Sequence, residues 1–284
     1  MSVAQDTPIV GPVAARPRLK LPTTILVGGA IVLPVILCAL FPQAIAPYDP
    51  NIFDYRALMN PPSLAHPFGT DNFGRDILSR TIWAAQIDLQ IAIFCTLFPA
   101  LVGTFIGAIV GYVGGVFDAI FRRVVDVAVT IPFLVLVIAI VAVLGPGLIN
   151  MYIAVGAVNW ITYARLTRAE ILSQKRRDYA ASGRVMGYSA PRILFRHLLP
   201  NALSPIMVYW MTDMALAILL GSSLGYLGLG AQPPTSEWGV LIGDAKNFMT
   251  TAWWMSIFPG LAIVVTGVGF SLLGDGLAAW VRRR

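Results

Sequence analysis

Residues 127–164 read VAVTIPFLVLVIAIVAVLGPGLINMYIAVGAVNWITYA and contain no Asp, Glu, Lys or Arg. A single helix of this length would extend about 57 Å at 1.5 Å per residue, roughly twice the thickness of the hydrocarbon core of a bilayer. The stretch also contains Gly145-Pro146-Gly147, a strong turn signal. We therefore interpret it as a helical hairpin that crosses a membrane twice.

Four further uncharged windows flank this hairpin, over residues 21–48, 89–117, 214–236 and 247–274, and each is long enough for one crossing. The sequence thus predicts an all-α membrane protein with six transmembrane helices. The predicted helices are Thr23–Ala46, Ala85–Tyr112, Val124–Leu144, Leu148–Leu166, Asn201–Gly225 and Trp254–Trp280.

The composition agrees with a membrane protein. Charged residues make up 12% of the chain, about half the share in soluble domains, and the mean hydropathy is +0.75. These values exclude a disordered chain, a collagen-like chain and a secreted disulfide scaffold. Cys38 and Cys95 are too few for a disulfide framework or a zinc site, so we expect them to pack as small apolar residues.

The basic residues predict the orientation, because cytoplasmic loops of membrane proteins are rich in Lys and Arg. Six crossings place both termini on one side of the membrane. Only four basic residues then fall on the opposite side, namely Arg56, Arg75, Arg80 and Lys246. The termini are therefore expected in the cytoplasm, and the net charge of +6 needs no nucleic-acid partner.

The first crossing could also be a signal peptide, since Arg16, Arg18 and Lys20 precede it and Ala44-Ile45-Ala46 resembles a cleavage site. Its apolar run is longer than the usual 7–15 residues, and Pro47 follows the cleavage site. We expect a retained helix.

Small residues and prolines mark the predicted membrane helices. Gly103, Gly107 and Gly111 share one face of the second crossing, where they permit close packing either within this chain or against a second subunit. The prolines within crossings remove helix hydrogen bonds and are expected to kink them. Among them are Pro34, Pro99 and Pro132.

Asp213 is the one charged residue in the middle of the fifth predicted crossing. A carboxylate at that depth costs at least about 2.5 kcal/mol, and such residues usually face a bundle interior or a water-filled cavity. We consider two interpretations, a place on the transport path where it attracts a cationic group and a hydrogen-bonded interior carboxyl.

The loop over residues 165–200 is basic and predicts a short helix–turn–helix. Asp178 can cap a helix that Gly187 ends in a left-handed conformation. Ser189 can cap a second helix with Pro191 in its first turn, and Pro200 is expected to break the chain before the next crossing. Such a loop could insert into a partner's groove or rest on anionic lipid headgroups.

The stretch DYAASGRVMGYSAPRILFRHLLPN, residues 178–201, resembles the coupling loop of binding-protein-dependent ABC importer permeases. The family pattern is Glu-Ala-Ala, three residues and Gly, followed by Leu-Pro. Here Ala181-Ser182-Gly183 occupies the triplet, with Ala in place of Glu and Gly in place of Ala. The resemblance assigns ATPase coupling to Asp178, Tyr179, Ala180, Ala181, Ser182, Gly183, Arg184, Gly187, Arg192, Arg196, His197 and Pro200.

Three further stretches resemble the C-type permease of the dipeptide, oligopeptide and nickel importers: HPFGTDNFGRDILSR from residue 66, LGYLGLGAQPPTSEWGVLIGDA from residue 224, and LLGDGL from residue 272. From the residues alone, Asp71 can cap an amphipathic helix through Phe73, Ile77 and Trp83 at the outer interface. The outer residues could contact a docking protein or form only a structural elbow. The docking candidates are Asp71, Arg75, Asp76, Glu237 and Trp238, and Trp238, Trp253 and Trp254 suit an interfacial aromatic belt.

The resemblance implies a type I ABC importer permease fold in the bacterial inner membrane. It implies a heterodimer with a related B-type permease, two ABC ATPase subunits below and an extracytoplasmic solute-binding protein above. The expected cargo is a short peptide or a nickel complex. The alternatives are an ion-gradient-driven secondary transporter and a non-transporting membrane scaffold.

The sequence offers no catalytic residues and no metal site. It has no GxxxxGK[ST] phosphate-binding loop, so ATP and Mg are expected on partner ATPases and no cofactor on this chain. The predicted division is a cytoplasmic tail 1–22, a first helix 23–46, an extracytoplasmic segment with an amphipathic helix 47–84, a type-1 core 85–280 containing the coupling loop 167–200, and a basic tail 281–284.

Overall fold

The computed structural model describes residues 21–282, which form helices and connecting loops apart from one isolated β-bridge between Thr70 and Asp76. The predicted tail 1–22 falls outside the described residues except for its last two, as do Arg283 and Arg284 of the basic tail. The helices are α1 (Thr23–Leu40), α2 (Pro42–Ile45), α3 (Ile77–Val113), α4 (Gly115–Ala128), α5 (Phe133–Leu144), α6 (Leu148–Gln174), α7 (Asp178–Val185), α8 (Ala190–Arg192), α9 (Leu199–Tyr226), α10 (Trp238–Ala245) and α11 (Trp254–Arg282).

Four helices of the described part are long and apolar enough to cross a membrane: α1, α3, the continuous stretch Ala190–Tyr226, and α11. The pair α4 and α5 makes a fifth span if the two count as one. The hairpin turn at Gly145-Pro146-Gly147 lies between α5 and α6, as predicted. Helix α6 has 27 residues, but Asn150, Asn159 and Arg165 make it more polar than the other spans.

The predicted crossing Val124–Leu144 is divided into two helices, with the break next to Pro132, where a kink was expected. Helix α4 ends at Ala128 and α5 begins at Phe133. The chain bends by 82° between these two helices. Pro132 explains the break, because it has no amide hydrogen and disfavours helical conformation at the residue before it. Pro34 and Pro99, in contrast, lie inside the continuous helices α1 and α3.

The prediction that Pro200 breaks the chain is wrong. A π-helical turn over Ile193–Leu198 joins α8 to α9, and the helical stretch is continuous from Ala190 to Tyr226. In a regular α-helix the ring of Pro200 would clash with the carbonyl group of Arg196. The wider π turn moves that carbonyl aside, so the proline is accommodated without a break.

The outer segment differs from its prediction at the start of α3. The helix begins at Ile77 and not near Asp71, and its cap is Asp76, whose Oδ2 accepts from the Ser79 amide at 2.8 Å. Asp71 instead closes a turn, where its Oδ1 accepts from the amides of Phe73 and Arg75. The first crossing is also shorter than predicted, since α1 ends at Leu40.

The glycine stripe of α3 packs against α6 of the same chain. A Cβ atom at Gly103 would lie 2.3 Å from the carbonyl oxygen of Trp160, and one at Gly107 would lie 2.3 Å from that of Ala164. Only hydrogen fits at these positions, so packing within the chain is the correct one of the two interpretations. Beside this contact, Cys95 is buried in an apolar core formed by α3, α5, α6 and α9, as expected for a packing residue.

Candidate functional site

The loop that connects α6 to α9 folds as a helical hairpin, which we call the coupling hairpin (residues 175–198). Gly187 ends α7 with a φ of +73°, as predicted, and the Tyr188 amide donates to the Gly183 carbonyl at 3.0 Å. Ser189 and Pro191 begin α8 as predicted, although the Ser189 side chain makes no capping hydrogen bond. Asp178 is the first residue of α7 and not its cap, a position that Arg177 takes.

One face of the coupling hairpin packs onto the ends of the long helices. Ala180 is 1% exposed and belongs to an apolar cluster with Ile171, Ile193 and Leu198. A Cβ atom at the buried Gly183 would make ordinary contacts of 3.6 Å with Ile193 and Tyr188. The triplet therefore has room for the Ala that the family pattern carries at this position.

Side-chain contacts also fix the ends of the hairpin. The Tyr179 hydroxyl donates to Gln174 Oε1 at 2.7 Å, and the Lys175 ammonium donates to the Tyr112 carbonyl at 2.6 Å. The Arg192 guanidinium lies 4.1 Å from the centre of the Tyr188 ring, which stacks on the half-buried His197. These contacts hold the turn at a defined place beneath α3, α6 and α9.

The opposite face of the hairpin is open. Val185 is 89% exposed and Met186 is 60% exposed, and both adjoin Gly187. The sequence-based site missed these two apolar residues, although the inward positions of Ala180 and Gly183 imply that Val185 lies on the outward face of the same helix. The other exposed residues of the predicted coupling site are Asp178, Tyr179, Ala181, Ser182, Arg184, Arg192, Arg196 and Pro200. An exposed apolar patch rimmed by charge is typical of a protein–protein contact.

Asp213 lies on α9 and is 5% exposed. Its Oδ2 accepts two hydrogen bonds from α6, from Asn159 Nδ2 at 2.8 Å and from the Tyr163 hydroxyl at 2.7 Å. The carboxyl also lines a cavity of about 430 Å³ between α5, α6 and α9. The structure therefore contains features of both interpretations of this residue, a hydrogen-bonded interior carboxyl and a group that faces a cavity.

The five docking candidates on the outer side are all buried in the described structure. Asp71, Arg75 and Asp76 are 1%, 6% and 3% exposed. Asp71 Oδ2 accepts from Arg75 Nε and from Arg80 Nη1, both at 2.7 Å, and His66 Nδ1 lies 2.9 Å from Asp76 Oδ1. This network joins the outer loop to the first turn of α3.

Glu237 and Trp238 lie in the stretch that begins at residue 224, and they connect it to α3. Both carboxylate oxygens of Glu237 accept backbone hydrogen bonds, from Gly239 and Val240, and thereby cap α10, a helix that the sequence-based prediction missed. Burial raises the pKa of the Glu237 carboxyl above its usual value. The Trp238 indole donates to the carbonyl of Thr81 at 3.0 Å.

The aromatic belt is only partly as expected. Trp238 and Trp254 are 2% and 7% exposed, so both are packing residues inside the protein. Trp253 is half exposed and remains the one member of the predicted trio with a surface position. The two buried indoles each find a carbonyl acceptor, which explains how they are accommodated in the interior.

Comparison with known proteins supports the resemblance. The family model for the binding-protein-dependent transport system inner membrane component matches residues 103–284. The chain is 46% identical over 253 residues to the glutathione transport system permease protein GsiD of Salmonella typhimurium, covering 89% of this chain and 84% of that protein.

Two further relatives are dipeptide systems. The dipeptide transport system permease protein DppC of Escherichia coli K12 is 46% identical over 257 residues, covering 88% of this chain and 86% of that protein. The di/tripeptide transport system permease protein DppC of Pseudomonas aeruginosa is 38% identical over 257 residues, covering 88% and 85%. The match, the coupling hairpin and the apolar spans together show that the chain belongs to the family of binding-protein-dependent ABC importer permeases.

Proposed function

We propose that this permease forms half of the translocation path of an ATP-driven importer of short peptides. The observation that carries the proposal is the relationship to the dipeptide and glutathione permeases over nearly 90% of the chain. The exposed coupling hairpin supports it, because such a surface can receive motion from a separate motor subunit. A nickel cargo has no support among these relatives.

We propose that the chain crosses a bacterial inner membrane six times, with both termini in the cytoplasm. The segregation of basic residues supports this arrangement. At 27 residues, α6 is long enough for the remaining crossing, and one of its polar groups, Asn159, faces α9, where it donates to Asp213. The division of the chain at residues 22, 46, 84 and 280 is part of the same proposal.

The proposed partners follow from the family. They are a related B-type permease as heterodimer partner, two ABC ATPases that bind ATP and Mg, an extracytoplasmic solute-binding protein and membrane lipid. The chain itself would be no enzyme and would hold no cofactor. The coupling hairpin contacts an ATPase through Val185, Met186 and the surrounding charged residues.

We assign different roles to the other predicted site residues. Asp213 borders the translocation path through the cavity that it lines. The outer candidates Asp71, Arg75, Asp76, Glu237 and Trp238 shape the surface that meets the binding protein, and their burial favours positioning over direct contact. Neither the family nor the structure favours the ion-gradient transporter or the scaffold.

Reconstituted uptake tests the proposed function. The two permeases, the ATPases and the binding protein are placed in liposomes, and accumulation of a labelled dipeptide is measured. We expect uptake that requires ATP, is stopped by vanadate and is unaffected by a proton uncoupler. Uptake that ceases with the uncoupler and persists without ATP would contradict the proposal.

Gly187→Trp tests the docking surface. A large side chain at the exposed turn should block ATPase binding, and we expect at least a tenfold loss of co-purified ATPase with normal membrane insertion. Gly187→Asn is the matched control, because Asn tolerates the left-handed conformation and adds little bulk. Normal co-purification and uptake in Gly187→Trp would refute the docking role.

A further inference from the structure

The cavity beside Asp213 has an acidic end and an aromatic wall. It is lined by Phe133 on α5, by Asn159 and Thr162 on α6, and by Tyr209 and Asp213 on α9, among mostly apolar neighbours. A volume of about 430 Å³ is within the range of small-molecule sites. The cavity therefore combines space, one carboxylate and aromatic surface.

One oxygen of Asp213 is available to a ligand. Its Oδ2 accepts from Asn159 and Tyr163, whereas none of the described residues donates a hydrogen bond to Oδ1. Both donors hold the carboxyl group in place. The side chain is thus oriented by α6 while its second oxygen is left for another partner.

The carboxylate also has no cation partner within the described part of the chain. None of the ion pairs among residues 21–282 involves Asp213. A buried charge without a counter-ion is costly, and ionisable groups in membrane helices usually mark substrate pathways. A cation that enters the cavity would remove this cost.

The aromatic residues suit the same ligand. The Tyr209 ring lines the cavity and packs edge-on against Tyr163 at 5.1 Å between ring centres. Phe133 lies on the α5 side of the cavity. Ring faces attract ammonium groups, most strongly where water is excluded.

We propose that this cavity binds the positively charged amino group of the transported solute, with Asp213 Oδ1 as acceptor and Tyr209 as aromatic wall. The proposal rests on the proposed function, since a short peptide carries such a group at its N-terminus. Asn159 and Tyr163 are positioning residues that hold the carboxylate toward the cavity.

A second groove adjoins this cavity, and its basic residues suit the carboxylate group of a zwitterionic solute. Thr162 and Tyr209 line both spaces, and the charged residues that line the second groove are Arg122, Asp126, Arg165 and Arg168. Arg122 and Arg168 pair with Asp118, whereas Arg165 is exposed and makes no ion pair within residues 21–282. The first space thus has one carboxyl group, on α9, and the second has a guanidinium on α6 that is unpaired within the described residues, which matches a solute with both charges better than a simple cation.

Charge-selective labelling tests the cation site without relying on uptake. Leu216 lines the cavity one helical turn after Asp213 and is 53% exposed. In the assembled transporter, with Cys38 and Cys95 replaced by Ala, L216C is treated with a trimethylammonium or a sulfonate methanethiosulfonate reagent. The control L64C, at a fully exposed outer position, corrects for intrinsic reactivity.

We expect the corrected preference of L216C for the cationic reagent to fall about tenfold in Asp213→Asn, the factor produced by about 1.4 kcal/mol. Asp213→Glu should retain the preference. Equal rates for both reagents at L216C, or a preference unchanged by Asp213→Asn, would overturn the cation site whether or not the transporter takes up peptides.

Uptake then tests the link to cargo. Asp213→Asn should lower kcat/KM for a dipeptide with a free amino group about tenfold, and Asp213→Glu should recover most of it. Asp275→Asn, an exposed carboxylate on α11, is the matched control. Unchanged uptake in Asp213→Asn would overturn the cargo role, whereas wild-type protein that takes up no peptide would count against the proposed function.

Discussion

At the scale of single residues, the outer face of the permease depends on a buried carboxylate between two arginines. Asp71 holds Arg75 and Arg80 at 2.7 Å each, and the Arg75 guanidinium also lies 4.8 Å from the centre of the Phe73 ring. Such groups are stable in the interior only when they are paired. Asp71 therefore positions the outer loop against α3.

Asp71→Asn should destabilise the protein by about 3–5 kcal/mol, because two buried guanidinium groups lose their shared anion. The measurement is the midpoint of thermal unfolding of the purified protein in detergent. Asp244→Asn is the control, since Asp244 is 34% exposed and lies 3.6 Å from Arg80 and 3.9 Å from Arg75. Equal midpoints for the two variants would show that Asp71 is not a structural anchor.

The residue types at helix ends and in the site, and their approximate positions, could be predicted from the sequence. Their individual hydrogen-bond partners could not. The left-handed Gly187 follows from local sequence, since a glycine after a short helix is a common helix end. The cap of α3 does not, because Asp71 and Asp76 both precede apolar residues and only tertiary contacts distinguish them. The partners of Asp213 come from α6, some fifty residues away, and no local pattern connects them.

At the scale of elements, the packing of α3 against α6 depends on glycine. Gly103, Gly107 and Gly111 bring the backbone of α3 against that of α6, where added Cβ atoms would lie 2.3 to 2.9 Å from carbonyl oxygens. Close approach of this kind lets dispersion contacts hold two membrane helices together. Helix α6 of this pair carries Asn159 and Tyr163, the two residues that donate to Asp213.

Gly107→Ala should cost about 1–3 kcal/mol, because the new methyl group forces α3 and α6 apart. Thermal unfolding in detergent and the yield of folded protein measure the loss. Gly267→Ala on α11 provides the comparison, since a Cβ there meets nothing within 4 Å, and it should be neutral or slightly stabilising. A Gly107→Ala variant as stable as wild type would contradict this account of the packing.

The prolines show where element prediction from sequence fails. Pro132 lies at the break between α4 and α5, Pro99 lies inside the continuous helix α3, and Pro200 lies just beyond a π-helical turn. The residue type is the same, but neighbouring helices and local widening of the turn decide whether the chain bends. Helix existence is therefore predictable at these sites, whereas continuity is not.

At the scale of the whole molecule, charge distribution and hydropathy are sufficient for the class of protein and the approximate spans. They also predict a crossing over Leu148–Leu166, although α6 carries polar residues and is not among the helices of the described part that are apolar enough to count as spans. The orientation rests on the distribution of Lys and Arg. It can be checked with single cysteines at exposed positions.

In a background without Cys38 and Cys95, L64C should react with a membrane-impermeant maleimide added to spheroplasts, and V185C should not. Inverted membrane vesicles should give the opposite result. Both side chains are exposed, at 104% and 89%, so access is decided by the side of the membrane. Labelling of V185C from outside intact spheroplasts would refute the proposed topology.

The uninterrupted helix from Ala190 to Tyr226 has a mechanical consequence. A flexible joint between the hairpin and the bilayer would absorb a displacement imposed from below, but a helix of 37 residues transmits it along its length, as a lever does. Asp213 lies on that lever, some fifteen residues beyond its π turn. Under the proposed coupling, a displacement applied at Met186 would therefore reach the carboxylate. Binding and release of the transported solute would then be coupled to the same movement that opens the translocation path.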